Sequence, residues 1–355
     1  MNHWMSKKVL YIKAQWLGDI IWGLPFLIQQ KKLSNKVYQT FYDMRHLNKG
    51  LKKFTKEQQE HYKRYPMYQG RYSTLEILKK SNLIQDIIFI PYEKYKLFFF
   101  FLKYLLSFNE AIIPIKTNAW KLLGSLLARS KKIIFQNTND ISKFRTLSDG
   151  ECNGTGLVLH ECLEYIDRPT EEVKIEGNYI TIFSCIFERS LDIKEWIAII
   201  DFAQSQGLKV VIVGWIREKW FIDELEKLWV MNSSHVINML DKTNIAQLSY
   251  LLKNAKYCIN GNWGPMRIAN LMNPNCINIH TTSSFLMEPK VNNKTSFNLR
   301  AYHYPECVPC ESADSTIWGK RISGCVFYNT IREGECRKFN TAEQVILILQ
   351  KIVKK

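Results

Sequence analysis

Apolar residues fall in short runs separated by turn residues, and strand-like runs alternate with segments of helical spacing. The opening stretch KVLYIKAQWLGDIIWGLPFLIQQKK reads as a buried strand over 9–12, a turn containing Gly18, and an apolar helix beginning near Asp19. Further strands are expected over 86–90, 111–115 and 132–135, with a helix over 118–129 between the last two. The run LFFFFLKYLLSF at 97–108 is the most hydrophobic segment. It reads as a buried helix, with an interfacial membrane contact as the alternative.

The polar stretch 136–156, with SDGECNGTG, reads as a surface loop, and 157–166 again has helical spacing. DRPTEEVKIEGN then supplies Pro169, Gly177 and several charges, which marks a linker. Beyond it the alternation resumes with clearer punctuation. Strands are expected over 179–184, 209–213, 257–259 and 276–279, and helices over 193–206, 217–228, 245–253 and 342–353. No repeat of solenoid length is visible.

The pattern predicts an α/β chain of two Rossmann-like domains facing each other across a ligand cleft at the C-terminal ends of their strands. The expected organisation is an acceptor domain over 1–167, a linker over 168–178, and a nucleotide-sugar domain over 179–340 with a Cys-rich segment at 307–336. A final helix covers 341–355.

The length, 355 residues, agrees with two cores, and the 46% hydrophobic and 23% charged residues are those of a globular protein. The net charge of +16 calls for an anionic partner: nucleic acid, a phosphorylated small molecule or a membrane surface. Basic residues concentrate over 45–80, interleaved with Tyr62, Tyr65, Tyr68 and Tyr72. That segment is either a solvated basic face or a surface for an acceptor or lipid headgroup. No secretory signal opens the sequence, since Lys7 and Lys8 precede only VLYI before Lys13. A cytoplasmic protein is expected, with peripheral contact at the inner face of the membrane left open.

Asp19 stands where the first strand hands over to a helix. A carboxylate there either caps the helix or faces the cleft as a general base. The surrounding pattern KxxxLGD, two apolar residues and a Pro-containing helix, here Lys13 to Pro25, resembles the N-terminal signature of glycosyltransferase family 9, the family of the ADP-heptose:lipopolysaccharide heptosyltransferases.

The resemblance continues along nearly the whole chain. His160 matches a helix before the linker. ITIFSCIFERSLDIKEW places Ser184 at a hydroxyl position, Arg189 at a basic one and Trp196 at an aromatic one. VVIVGWIRE brings Glu218 to a nucleoside-contacting position, and LDKTNIAQLSYLLKNAKYCINGNWGPMRIANLM brings Lys242, Thr243, Gly264, Pro265 and Met266 into place.

By this resemblance the donor lies against Ser184, Arg189, Glu218, Lys242, Asn262, Trp263, Gly264, Pro265, Met266 and Arg267, and the acceptor near Lys13 and Trp16. Asp19 is the catalytic base. The chemistry suits such a donor: a diphosphate needs a cation and N–H donors at a helix start, and a carboxylate such as Glu218 can hold ribose hydroxyls. The sequence departs from the family at Arg189, where a Lys is usual. It departs again at Asn262-Trp263-Gly264 and Arg267, where the family has Asp-Ser/Thr-Gly and then His. Arg189 keeps the charge with a different geometry, and the altered turn is more positive, which either strengthens diphosphate binding or signals a donor sugar other than heptose.

Cys152, Cys162, Cys185, Cys258 and Cys276 are scattered and read as thiols of a reducing compartment. Cys307, Cys310, Cys325 and Cys336 form C-x2-C-x14-C-x10-C, a spacing that suits a structural metal or unliganded thiols. The segment resembles the iron-binding finger of autotransporter heptosyltransferases, although four thiolates suit zinc equally.

The resemblance thus implies an inverting, metal-independent transferase that moves heptose from ADP-heptose to a lipopolysaccharide-core or related glycan. A protein acceptor on an autotransporter is the alternative. No DxD motif occurs at the expected cleft turns. Competing classes are a nucleic-acid binder, against which the dispersed basic residues and lack of a recognised motif count, and a non-catalytic basic scaffold with a metal finger. Oligomeric state is left open.

Overall fold

The computed structural model describes residues 6–12, 17–42, 74–91, 94–113, 118–133, 157–185, 190–215, 219–228, 230–262, 264–281, 289, 291–292, 294–300, 338 and 340–353. The chain divides into two compact units, Met1–Arg168 and Pro169–Lys355.

The first unit is built on a parallel sheet of five strands in the order β3-β2-β1-β4-β5. They are β1 (Lys8–Tyr11), β2 (Lys36–Tyr42), β3 (Asp86–Ile90), β4 (Phe108–Ile113) and β5 (Ala128–Ile133). Strand β1 is central, with Val9 opposite Val37 of β2 on one side and Glu110 of β4 on the other. Val9, Leu10 and Tyr11 are all buried, as expected for a strand covered on both faces.

Helix α1 (Leu17–Trp22) follows β1, and α2 (Leu24–Lys32) begins directly after Gly23 with Pro25 in its first turn. Gly23 sits against the Tyr11 ring, whose hydroxyl would lie 3.1 Å from an added Cβ. A side chain there would force the ring away. Residues 74–80 are also helical.

The strands expected over 111–115 and 132–135 begin earlier than expected, at Phe108 and Ala128. The helix between them, α4 (Asn118–Leu127), stops at the residue before β5. Strand β2 was not expected at all.

The hydrophobic run also requires correction. Helix α3 (Lys94–Tyr104) is not a buried helix. It seats Phe100 in the core with Leu97, Phe101 and Tyr104 packed beside it, and leaves Tyr95, Phe98, Phe99 and Leu102 exposed.

The second unit has a parallel sheet of six strands in the order β11-β10-β9-β6-β7-β8. Strands β6 (Tyr179–Phe183), β7 (Lys209–Ile212), β9 (Tyr257–Gly261) and β10 (Cys276–His280) coincide with the expected strands to within two residues at each end. Strands β8 (Val236–Asn238) and β11 (Phe297–Arg300) complete the two edges. Helices α5 (Ile193–Ser205), α6 (Lys219–Lys227), α7 (Ile245–Asn254), α8 (Gly264–Met272) and α9 (Ala342–Val353) accompany them.

The core gathers Trp196, Ile199 and Ile200 of α5, Phe221 and Leu225 of α6, and Ile180, Ile182, Val210, Ile212, Ile259 and Ile277 of the sheet. Ala342, Val345 and Leu349 place α9 in the same core, and the Ala342 amide donates to Glu195 Oε2 at 2.7 Å. Helix α7 starts with a capping box: the Asn244 side chain accepts from the Gln247 amide, and the Gln247 side chain accepts from the Asn244 amide. The same two side chains donate to the Glu171 carboxylate at 2.8 and 2.7 Å, fastening the segment after Pro169 onto this unit.

Candidate functional site

In both sheets the strand order reverses beside the unit's first strand, β1 in one and β6 in the other. The crevice outside the C-terminal end of such a strand is where open parallel sheets take ligands.

In the second unit that place lies between β6 and β9. Strand β6 is followed by Ser184 and Cys185, and β9 ends in Gly261 and is followed by Asn262, all buried. The two ends meet closely. A Cβ on Gly261 would fall 2.5 Å from the Cys185 Cβ and 3.0 Å from the Ser184 carbonyl oxygen, so only glycine fits. Cys185 has φ +73°, in the left-handed region that an L side chain takes at a cost of roughly 1–2 kcal/mol. It is held there by neighbours: its carbonyl accepts from Trp220 Nε1 at 3.1 Å, and its thiol reaches the Asn262 carbonyl at 3.6 Å.

Helix α8 starts two residues after Asn262. The Nδ2 of buried Asn262 has no hydrogen-bond partner among the described residues. A desolvated amide without an acceptor costs about 1–3 kcal/mol, and a water, an ion or a ligand can supply the acceptor. Buried polar atoms of Gln39, Thr40 and Thr181 are in the same position elsewhere, and Asn262 differs from them in standing at a helix start beside the strand-order reversal. The first N–H groups of α8 lie just beyond, adding donors and a partial positive charge suited to an anion. Gly264 is half-buried, while Pro265, Met266 and Arg267 are buried in the first turn.

A buried asparagine network fixes α8 against the sheet. Asn270 donates to Asn278 Oδ1 at 2.9 Å and receives the Asn278 amide at 3.0 Å; it also donates to the Met266 carbonyl at 2.7 Å. Asn260 donates to Asn278 at 3.2 Å, and Asn278 to Asn298 at 3.0 Å. His280 ends β10 fully buried, with Nε2 3.4 Å from Asn298 Oδ1. Burial and the nearby Arg300 charge lower its pKa to about 3, so the ring is neutral at physiological pH. None of these residues was singled out from sequence. The available signal was an Asn inside each of three short apolar strands, CING, CINIH and FNLR, which come to lie side by side.

Of the residues expected to hold a donor, Ser184, Asn262 and Gly264 are brought together. Lys242 is not: it follows edge strand β8, with Nζ bonded to the Asn238 carbonyl at 2.9 Å. Thr243 beside it is buried. Trp196 is a core residue whose Nε1 donates to Ser190 Oγ at 2.8 Å. His160 opens a short 3-10 helix, His160–Tyr165, in which burial pushes the Cys162 thiol up to about 12.

In the first unit Asp19 lies in the first turn of α1, two residues past its start, rather than ahead of it as a cap would. The Asp19 side chain, Lys13, Trp16, Arg189, Glu218, Trp263, Cys307, Cys310, Cys325 and Cys336 lie outside the described residues. Among the described residues no group of three or more His, Cys, Asp or Glu side chains is arranged for a metal, and no helix is long and apolar enough to cross a membrane.

No protein-family model matches the sequence, and no curated protein does. Solved structures do. ADP-heptose lipopolysaccharide heptosyltransferase II of E. coli is 13% identical, with 98% of each chain covered and a TM-score of 0.58. The glycosyltransferase family 9 protein of Veillonella parvula is 14% identical, covering 98% of this chain and 97% of its own, at 0.57. The iron-containing dodecameric glycosyltransferase TibC of enterotoxigenic E. coli is 12% identical, covering 98% of this chain and 76% of its own, at 0.53. The chain therefore has the fold of the family 9 glycosyltransferases, two Rossmann-like units each built on a parallel sheet.

Proposed function

We propose that the chain is an inverting glycosyltransferase whose second unit binds a nucleotide-diphosphate sugar. The observation that carries this reading is the seam between β6 and β9, where a glycine admits no side chain, Cys185 is held at positive φ, and the buried Asn262 amide has no acceptor among the described residues at the start of α8. A diphosphate oxygen supplies that acceptor and meets the helix N–H groups. Arg189 adds a fixed cation, and Glu218 holds the ribose hydroxyls.

ADP-heptose is the proposed donor. E. coli WaaC, 13% identical with a TM-score of 0.51, is a heptosyltransferase solved with ADP, and a second TibC structure, also at 0.51, holds ADP-D-β-D-heptose. Asp19 takes the proton of the acceptor hydroxyl as its oxygen attacks the anomeric carbon. The sugar–phosphate bond breaks, and the diphosphate leaves with its charge met by Arg189 and the α8 donors. The proposed acceptor is a hydroxyl of a lipopolysaccharide-core or related glycan, near Lys13 and Trp16. The likeness to iron-containing TibC supports a structural iron or zinc at Cys307, Cys310, Cys325 and Cys336, and the resemblance of that four-Cys segment to autotransporter heptosyltransferases keeps a protein acceptor as the alternative.

Nucleotide release from a panel of ADP-, GDP- and UDP-sugars tests the donor: ADP-heptose is expected to turn over, and preference for a UDP- or GDP-hexose overturns the heptose assignment. Metal analysis of the purified chain tests the cysteine site, with about one iron or zinc per four-thiolate site expected; metal-free protein at full activity removes it.

A further inference from the structure

Helix α3 is apolar on two opposite sides. Phe100, with Leu97, Phe101 and Tyr104, faces the core of the first unit, and Tyr104 stacks on Phe108 with ring centroids 6.2 Å apart. The other side carries Tyr95, Phe98, Phe99 and Leu102, which are 63%, 61%, 65% and 60% exposed. Positions i, i+3, i+4 and i+7 form one stripe, so these side chains make a continuous ridge. Leu105 and Leu106 prolong it through the following turn, and Leu122 on neighbouring α4 is exposed as well. Leu106 is held at φ +48°, with its amide donating to the Leu126 carbonyl at 3.1 Å.

The border of the ridge is basic. Lys96 and Lys103, seven residues apart, lie on one flank of the helix, with their amines 5.7 Å and 5.1 Å from the ring centroids of Tyr95 and Tyr104. No acidic residue occurs in α3, and the whole chain carries +16. An outward apolar stripe flanked by lysines matches the interface of an anionic bilayer, where rings enter the acyl boundary and amines stay among the headgroups. Eleven residues are too few to span a membrane, which takes ~20. A second copy fits the ridge poorly, because a two-fold contact sets Lys96 and Lys103 against their own mates between two strongly cationic chains.

We propose that the exposed face of α3 docks this protein on an anionic phospholipid surface, with Phe98, Phe99 and Leu102 inserted and Lys96 and Lys103 against the headgroups. The test is flotation of the full chain with phosphatidylglycerol-rich vesicles and with pure phosphatidylcholine vesicles. Wild type is expected to float with the former alone, and less as salt rises. The double substitution Phe98→Ser with Phe99→Ser is expected to cut partitioning about tenfold or more, and Lys96→Glu with Lys103→Glu by a similar factor of about ten or more. Because these side chains point away from the core, both variants keep the wild-type melting temperature; should the serine pair melt early, the charge-reversal pair decides alone. Absence of wild-type flotation overturns the proposal, and so does undiminished flotation of either folded variant. Lipid-free dimers that the serine pair dissociates, without vesicle binding by wild type, assign the ridge to self-association instead.

Discussion

The two units place their first strand at the same point of the same kind of sheet, yet they finish that point with different materials. After β1 the chain enters a six-residue helix broken at Gly23 and held by apolar packing, with the Tyr11 and Phe26 rings 4.7 Å apart. The corresponding seam of the second unit is closed by Gly261 against Cys185, and its helix α8 is pinned by Asn270 and Asn278. Topology decides where a ligand can sit, and local chemistry decides what the place can hold. The amide donors of the asparagine network are spent on one another and on backbone carbonyls, so it serves an anion only by fixing α8, whose own N–H groups then need no reorganisation when a ligand arrives.

The widest separation between the two sites is expected from Asp19→Asn. If the first unit supplies the base and the second binds the donor, this change lowers kcat by about 10²–10⁴-fold, the usual worth of a positioned proton acceptor, and leaves ADP affinity unchanged. Steady-state rates and calorimetric titration with ADP measure the two halves independently. Full turnover by the variant removes Asp19 from the mechanism and leaves the donor site standing.

Gly261→Ala acts on the second seam alone. Its Cβ would meet the Cys185 Cβ at 2.5 Å and the Ser184 backbone at 3.0 Å, so strands β6 and β9 must part at their ends. Overpacking of this kind costs about 1–3 kcal/mol. Thermal melts are expected to show that loss together with weaker ADP binding, whereas an unchanged melt means the seam is slacker than its distances indicate.

Much of this architecture was legible because the buried strands of parallel sheets are short apolar runs bounded by turns. KVVI, YITIF and DIIFI announce themselves in that way. Strand β2 did not, because Gln39 and Thr40 interrupt its pattern although both are buried. Strands β8 and β11 have only three and four residues, too few for a period to emerge. The run LFFFFLKYLLSF reads as buried because hydrophobicity measures composition, while burial depends on whether a neighbour covers each face; among the described residues, α3 is packed on one side and exposed on the other. For the candidate site, Ser184, Asn262 and Gly264 were recognisable by their order along the chain. The asparagine network was not, because its members become adjacent only when β9, β10 and β11 pair.

Burial of His280 beside Arg300 makes the second unit sensitive to acid from a higher pH than Asp86 does the first, where the Lys79 hydrogen bond lowers a carboxyl that titrates only in the carboxylate range. The unfolded chain protonates His280 below its ordinary pKa of 6.5, while the folded chain resists until about pH 3. The unfolded state therefore binds more protons across that window, and stability falls as pH drops from 6.5 toward 3, by up to about 1.4 kcal/mol per pH unit. Denaturant unfolding between pH 6.5 and 5 reads the slope before most carboxylates titrate. His280→Gln should flatten it by that amount, whatever its own stability; an equal slope in the variant assigns the acid sensitivity elsewhere.

Asn262→Ala is the smallest effect and the sharpest discriminator, since folding and binding are expected to move in opposite directions. The amide nitrogen is buried without a partner among the described residues, so its removal relieves a desolvation cost and leaves stability unchanged or raised by up to about 1 kcal/mol. If a diphosphate oxygen is the missing acceptor, the same deletion weakens ADP binding by about five- to tenfold, the worth of one ordinary net hydrogen bond of about 1 kcal/mol. Function-linked residues are those whose loss a fold tolerates and a ligand does not. A variant that melts earlier and binds ADP as tightly as wild type makes Asn262 a structural residue, and the seam of the second unit would then owe its unusual geometry to folding rather than to a donor.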